Sequence, residues 1–267
     1  MKHINQFITE YIIKKKLDKP INSETTNYLY HPETKPELSK IIRKLLKDNQ
    51  TDLNVIDVSK ITNMSDLFSQ INENKKITNI DISEWDVSNV TSMENMFFGC
   101  SKFNCDLSNW DVSNVENMDS MFANCENFTG EGLENWDISN VENIAAMFYN
   151  CKKFDCDLSN WNFNKVKQTR YMFCKCENFD CDVSNWKFDK VFFANGMFYG
   201  CKKFKGVGLD KWDVSNFTNM SFMFYDCKSL NVDLENWDIK PSTNLAYIEN
   251  MFTLCDSMKK LPTWYKE

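Results

Sequence analysis

The side chains able to do chemistry in this chain recur on a fixed period. Eleven cysteines stand among 267 residues. Cys100, Cys125, Cys151, Cys176, Cys201, Cys227 and Cys255 form one column, and Cys105, Cys156 and Cys181 share a second, where Val232 and Ile80 hold equivalent places. Clustered thiols can bind zinc or pair as disulfides. Equivalent side chains in stacked repeats point in parallel, however, rather than at each other. Cys174, Cys176 and Cys181 form a close group with no fourth ligand. The apolar replacements in the second column mark a slot for a small buried hydrophobe. The cysteines are therefore expected to be structural, with no metal and no disulfide.

Carboxylates recur in the same way. Asp106, Asp157, Asp182 and Asp233 occupy an outward position, with Ser108, Ser159 and Ser184 two residues on. This column could line a binding face or hold calcium. Paired acids would suit glycoside hydrolysis, which needs two carboxyls at a set separation. No acid breaks the repeat pattern, so a glycan-active enzyme is the weakest reading. Asp86, Asp111, Asp137, Asp213 and Asp238 follow a Trp and are expected to hold turn amides; Asn162 and Lys187 replace them in two units.

Only His3 and His31 are present, so no Ser-His-Asp or Cys-His arrangement forms. No phosphate-cradling glycine loop appears, and no cofactor is implied. A net charge of −7 disfavours nucleic acid. Phe98, Tyr149, Tyr199 and Tyr225 each follow a Met-Phe pair. They read as packing at the corner between units, or as a stripe for a partner.

The scaffold that positions these groups is a tandem repeat. Trp falls at 85, 110, 136, 161, 186, 212 and 237, at steps of 25 or 26. Met-Phe pairs at 96–97, 121–122, 147–148, 172–173, 197–198, 223–224 and 251–252 follow the same beat. About eight units begin near residue 52 and run to 256. Alternation around Cys105 and Leu107 predicts a short strand. Ser113-Asn-Val-Glu116 fits a capping box, and Val115, Met118, Met121 and Phe122 fit one face of a short helix. Gly99, Asn124, Asn150 and Gly200 fit its left-handed stop. The two clearest longer units carry Gly130-Glu-Gly132 and Gly206-Val-Gly208, expected to absorb the extra residue.

Residues 1–50 do not repeat. Ile4, Phe7, Ile8, Tyr11 and Ile12 predict one amphipathic helix; the box Thr34-Lys-Pro-Glu37, then Leu38, Ile41, Ile42, Leu45 and Leu46, predicts another. The expected organisation is a helical cap over 1–50, repeats over 51–256 and a C-terminal cap over 257–267. Glu10 interrupts the apolar start, and no small-residue cleavage site follows, so no signal peptide is read. No apolar run is long enough to span a membrane. The expected location is the cytoplasm.

The string Asn109-Trp-Asp-Val-Ser-Asn-Val-Glu-Asn-Met-Asp-Ser-Met-Phe-Ala-Asn-Cys125 resembles the unit of BspA-like leucine-rich repeat proteins, including the mycoplasma lipoprotein-type repeat. The stretch from Tyr30 to Ser59 is similar to the N-terminal region of such proteins from gut bacteria and their phages. The resemblance implies an α/β fold, a right-handed leucine-rich-repeat-like solenoid of strand–helix units. It also implies adhesion, display on a cell surface or virion, or protein binding. The expected function is a non-enzymatic repeat protein that engages a protein or glycan. A structural, adhesin-like component of a surface or phage particle is the alternative. The expected binding face is Asp106, Ser108, Asp157, Ser159, Asp182, Ser184 and Asp233.

Overall fold

The computed structural model describes residues 28–71, 77, 79–239 and 247–266. The helix expected over Ile4–Ile12, His3 and most of the 70–76 insertion lie outside them.

Each repeat is a coil made of successive tight turns. In the Trp110 coil the buried residues come in pairs three apart: Leu107 with Trp110, Val112 with Val115, Met118 with Met121, Phe122 with Cys125, Cys125 with Phe128. In every pair the later amide donates to the earlier carbonyl at 2.9–3.2 Å. Both ends of each turn point into the core, and the polar residues between them lie at the surface. The sequence alternates apolar ends with Ser, Asn, Asp and Glu because that is what a turn with its two ends buried needs.

The strand–helix unit expected from the sequence does not form. Among the described residues there is no strand, and only one α-helix lies outside the repeats. The leucine-rich-repeat-like α/β architecture is therefore wrong for this chain. Backbone sign explains the missing helix. Ser120 and Asn124 sit at φ 55° and 63°, and the same pair of left-handed residues, four apart, recurs at Asn95/Gly99, Ala146/Asn150 and Gly196/Gly200. Left-handed residues interrupt a right-handed helix, and two per coil leave it no room. The spacing i, i+3 belongs to consecutive turns as well as to a helix face. The strand fails because the chain turns again at once: Trp110 closes back onto Leu107.

Coils are joined by a ladder that is neither helix nor sheet. In the segment starting at Met93, alternate amides close turns within the coil. The others leave it: those of Met93, Asn95, Phe97 and Gly99 donate to the carbonyls of Asn117, Asp119, Met121 and Ala123 at 2.8–2.9 Å. The pattern repeats from coil to coil, always toward the C-terminal neighbour. Single parallel bridges mark its start, at Asn63, Ser92, Asn117, Asn143, Gln168, Phe193 and Asn219.

The ladder stacks the core in register. Neighbouring rings from Phe68 through Phe97, Phe122, Phe148, Phe173, Phe198 and Phe224 to Phe252 lie 5.1–5.8 Å apart, nearly parallel. A second column runs beside it, with Phe128 4.2 Å from Phe122. The Trp column is held by its own donor. The indole of Trp161 donates to the Leu133 carbonyl of the preceding coil at 2.8 Å, and that of Trp186 to Leu158 at 2.9 Å. Trp264, in the segment expected to cap the C-terminal end, continues this column by donating to Leu234 at 2.9 Å. Each such bond contributes about 1 kcal/mol beyond ring burial.

Helix α1 (Lys35–Lys47) closes the N-terminal end. Thr34 accepts the Glu37 amide at its start, and Leu38, Ile42 and Leu45 are buried. The Glu37 carboxylate reaches back to the Glu33 amide rather than to that of Thr34. In the two units with paired glycines, the extra residue becomes a single 3-10 turn, Leu133–Asn135 and Leu209–Lys211. Gly208 has φ +91°, and a Cβ there would stand 2.3 Å from the Ser184 amide nitrogen of the coil below. Gly99, at φ +75°, has open space around it. Gly208→Ala should therefore cost about 3 kcal/mol or more, combining backbone strain with overpacking, and Gly99→Ala about 1 kcal/mol. Urea denaturation of the two variants checks the difference; equal losses would contradict it.

Candidate functional site

The outward Asp column faces solvent, but its carboxylates are engaged in the fold. Oδ1 of Asp106, Asp157 and Asp182 accepts the amide of Ser108, Ser159 and Ser184 at 2.8–2.9 Å. Asp233 accepts the Glu235 amide at 3.0 Å. The Ser184 hydroxyl also donates to Asp182, at 2.5 Å. Each Asp thereby fixes the turn that presents Leu and Trp to the core. The column after Trp repeats the device: Asp111 and Asp137 accept the amides of Ser113 and Ser139, and Asn162 accepts that of Asn164. Bonds from Ser159 hold the Asp157 carboxyl below its ordinary value, and bonds from Ser184 do the same for Asp182.

The thiol columns are also used within the fold. The Sγ–H groups of Cys125, Cys151, Cys176, Cys201, Cys227 and Cys255 donate to the carbonyls of Phe97, Phe122, Phe148, Phe173, Phe198 and Phe224 at 2.9–3.1 Å. Cys181 acts in both senses: its thiol donates to the Asp182 carbonyl at 3.4 Å, and its sulfur accepts the Leu158 amide at 3.3 Å. In the equivalent place below a longer coil, Val183 donates to the Val207 carbonyl. The second column is therefore more than a hydrophobic slot, because sulfur stands in for a backbone acceptor. Burial pushes the thiols of Cys100, Cys174 and Cys255 up to about 12, and those of Cys125, Cys176, Cys201 and Cys227 well above the usual range. Burial thereby disfavours the thiolate, the reactive form. Among the described residues no group of His, Cys, Asp and Glu is arranged to hold a metal ion.

What remains unabsorbed is the outer surface of the ladder. Its N-terminal half is polar and acidic, with Glu94, Asp119, Glu116 and Glu142. Its C-terminal half is aromatic. Tyr171, Phe192, Phe193 and Tyr247 are exposed by 40%, 47%, 41% and 44%. Gly196 lies under the Tyr171 ring, where a Cβ would stand 2.3 Å from Cε1. Tyr199 and Tyr225 stack with ring centroids 4.7 Å apart and half-cover each other. Lys175 stands over the Tyr149 ring at 5.7 Å. Arg170 projects outward beside Tyr171.

Tyr149, Tyr199 and Tyr225 belong to the stripe expected from the Met-Phe repeat; Tyr171, Phe192, Phe193 and Tyr247 do not follow from it. Phe98, expected in the same stripe, is exposed but lies apart, with Ala123 between its coil and that of Tyr149. The missed residues take positions that hold mostly polar or small residues in other coils, such as Asn95, Ser120 and Ala146 for Tyr171 and Asn117, Gln168 and Asn219 for Phe193. That departure from the repeat was the available signal.

A family model described as "Mycoplasma protein of unknown function, DUF285" matches residues 37–155, 127–208 and 194–265. No match was found among curated proteins or among solved structures. No helix of the described residues is long and apolar enough to cross a membrane.

Two outcomes follow from these bonds. In native protein at pH 8 the thiols should resist iodoacetamide, while in denaturant all eleven should react; mass spectrometry reads the count. Asp157 and Asp182 have folded values below the ordinary 3.8. Their stabilisation is present above that value and is lost as pH falls through the lowered folded one. Asp157→Asn with Asp182→Asn keeps the amide acceptor, as Asn162 does, and removes the charge. The double variant should be slightly less stable than the parent at pH 7 and should lose less stability as pH falls below the ordinary carboxylate range. An unchanged acid slope would show that these two groups do not drive it.

Proposed function

The chain belongs to the DUF285 family of mycoplasma proteins, and on that premise we propose that it is a non-enzymatic repeat protein that binds a protein partner. The binding surface is the aromatic half of the ladder face. The observation that carries this reading is the exposure of Tyr171, Phe192, Phe193 and Tyr247 in the C-terminal half of the ladder face, while Phe173, Phe198 and Phe224 of the same half are buried. Exposed apolar patches of this kind mark interaction sites on soluble proteins. Tyr, Phe and Arg side chains are also enriched at interface centres. Arg170 and Lys175 stand on the same face of a chain whose net charge is −7. The partner surface that fits is apolar with acidic residues at its rim.

A non-enzymatic role is supported by the state of the titratable groups. A general acid needs a raised carboxyl value. The carboxyls that shift clearly here move downward, through bonds that serve the fold or surface pairs, as in Glu142 beside Lys167. Asp233 and Glu235 share one surface hollow. Asp233 holds the Glu235 amide, and Glu235 accepts the Thr263 amide and hydroxyl.

Tyr171→Ser with Phe193→Ser removes two outward rings. Fold stability should change by less than about 1 kcal/mol, because neither ring is in the core. Capture of the partner from cells of the native organism should fall roughly tenfold or more, as expected for central aromatic contacts. Asp106→Asn, Asp157→Asn and Asp182→Asn together should leave capture unchanged. The reverse pattern, capture lost with the acids and kept without the rings, would assign binding to the Asp column instead.

A further inference from the structure

We propose that the C-terminal edge of the ladder is a docking edge, onto which an extended segment of another polypeptide adds as one further rung. The argument starts from hydrogen-bond direction. The amides of Met220, Phe222, Phe224 and Asp226 donate to the carbonyls of Tyr247, Glu249, Met251 and Thr253 at 2.6–3.1 Å. In the last coil the equivalent amides are those of Ile248, Asn250, Phe252 and Leu254. None of these four has a backbone acceptor among the described residues, while the alternate amides of Met251, Thr253 and Cys255 close their own turns. The edge is a row of donors with the spacing that every inner coil fills.

The apolar side of the edge is incomplete in the same place. Phe252 and Cys255 are 5% and 9% exposed, where Phe224 and Cys227 are at 0%. Leu254 beside them is 48% exposed. The segment after Cys255 covers the other half of the coil. Trp264 fills the Trp column, and Tyr265 meets Phe252 edge-on at 5.0 Å. On the ladder half the outward amides have no further rung among the described residues.

The opposite end differs. There the edge presents carbonyls, and α1 lies against it: Lys35 Nζ donates to the Ser65 carbonyl of the row at 3.0 Å, and Arg43 to the Gln70 carbonyl beside it at 2.9 Å. That asymmetry selects the occupant. A second copy cannot pair through its own C-terminal edge, because donors would face donors. Its N-terminal edge lies under α1. The fitting partner is a segment of a different protein that offers carbonyls on alternate residues, Gly or Asn where the turn runs left-handed, and an aromatic or Met over Phe252. This is edge addition of the kind seen when peptides extend a sheet. It meets the aromatic face only at Tyr247.

The test uses amide hydrogen exchange on the full chain, with a synthetic peptide of residues 216–228 as the probe rung and its scrambled sequence as control. In the free protein the amides of Ile248, Asn250, Phe252 and Leu254 should exchange roughly tenfold or more faster than those of Met220, Phe222, Phe224 and Asp226. The peptide should slow those four amides and leave inner coils unchanged, and the scrambled peptide should not. The variant Tyr171→Ser with Phe193→Ser should respond identically. Slow exchange at the four amides in the free protein would overturn the proposal. So would protection that appears at the aromatic face, or equally with the scrambled control.

Discussion

The amide of Ser120 leaves its own coil to meet the carbonyl of Ala145, while the amides of Met121 and Ala123 stay behind to close turns. This division of alternate amides depends on the left-handed residues Ser120 and Asn124. A right-handed helix would turn every amide inward along its own axis. A strand would send amides to both sides. Here four successive outward amides all point to the same neighbour, so each coil is bound to the next before any side chain is considered. The Phe stack, the Trp column and the Cys column then follow, because the ladder sets equivalent residues one above another.

The side-chain columns work against slippage. A Trp indole and a Cys thiol each donate back to a carbonyl of the preceding coil. The backbone ladder points forward and these point backward, so neighbouring coils are fastened in both senses. An unpaired indole N–H buried in this core would cost about 1–3 kcal/mol. The residues that most resemble chemistry are therefore those most occupied by the fold. The Asp carboxylates hold turns, the thiols hold coils, and on the outer ladder surface the exposed Phe192 and Phe193 rings are free of such duties.

Much of this was legible in the amino-acid order. The period, the buried columns and the turn-holding role of the Asp after Trp could be read from spacing alone. The box at Thr34 marks the start of α1. The secondary structure of the repeat could not be read from hydrophobic spacing. Val115, Met118, Met121 and Phe122 satisfy a helix face and a run of turns equally well. The distinguishing sign was weak: Asn95 and Gly99 lie four residues apart, and a helix stop accounts for only one of them. Ser120, Ala146, Tyr171 and Phe222 obscure it, since side chains of those types rarely adopt positive φ. The aromatic surface was hidden for a related reason. An aromatic in a core-rich repeat reads as core until the turn places it outward, as it does Phe193.

Because a coil is fastened only to the coils on either side, the stack has no contact that counts how many coils there are. A duplication or loss of one repeat's worth of codons, in frame, would rejoin a Phe to a Phe and a Trp to a Trp. The length of the outer surface, and so the number of rings it can display, is open to change by recombination between the repeats themselves. The glycine-paired coils obey the same rule: Gly208 fits against the Asp182–Ser184 turn of the coil before it, and Asp157–Ser159 makes the same turn in another coil.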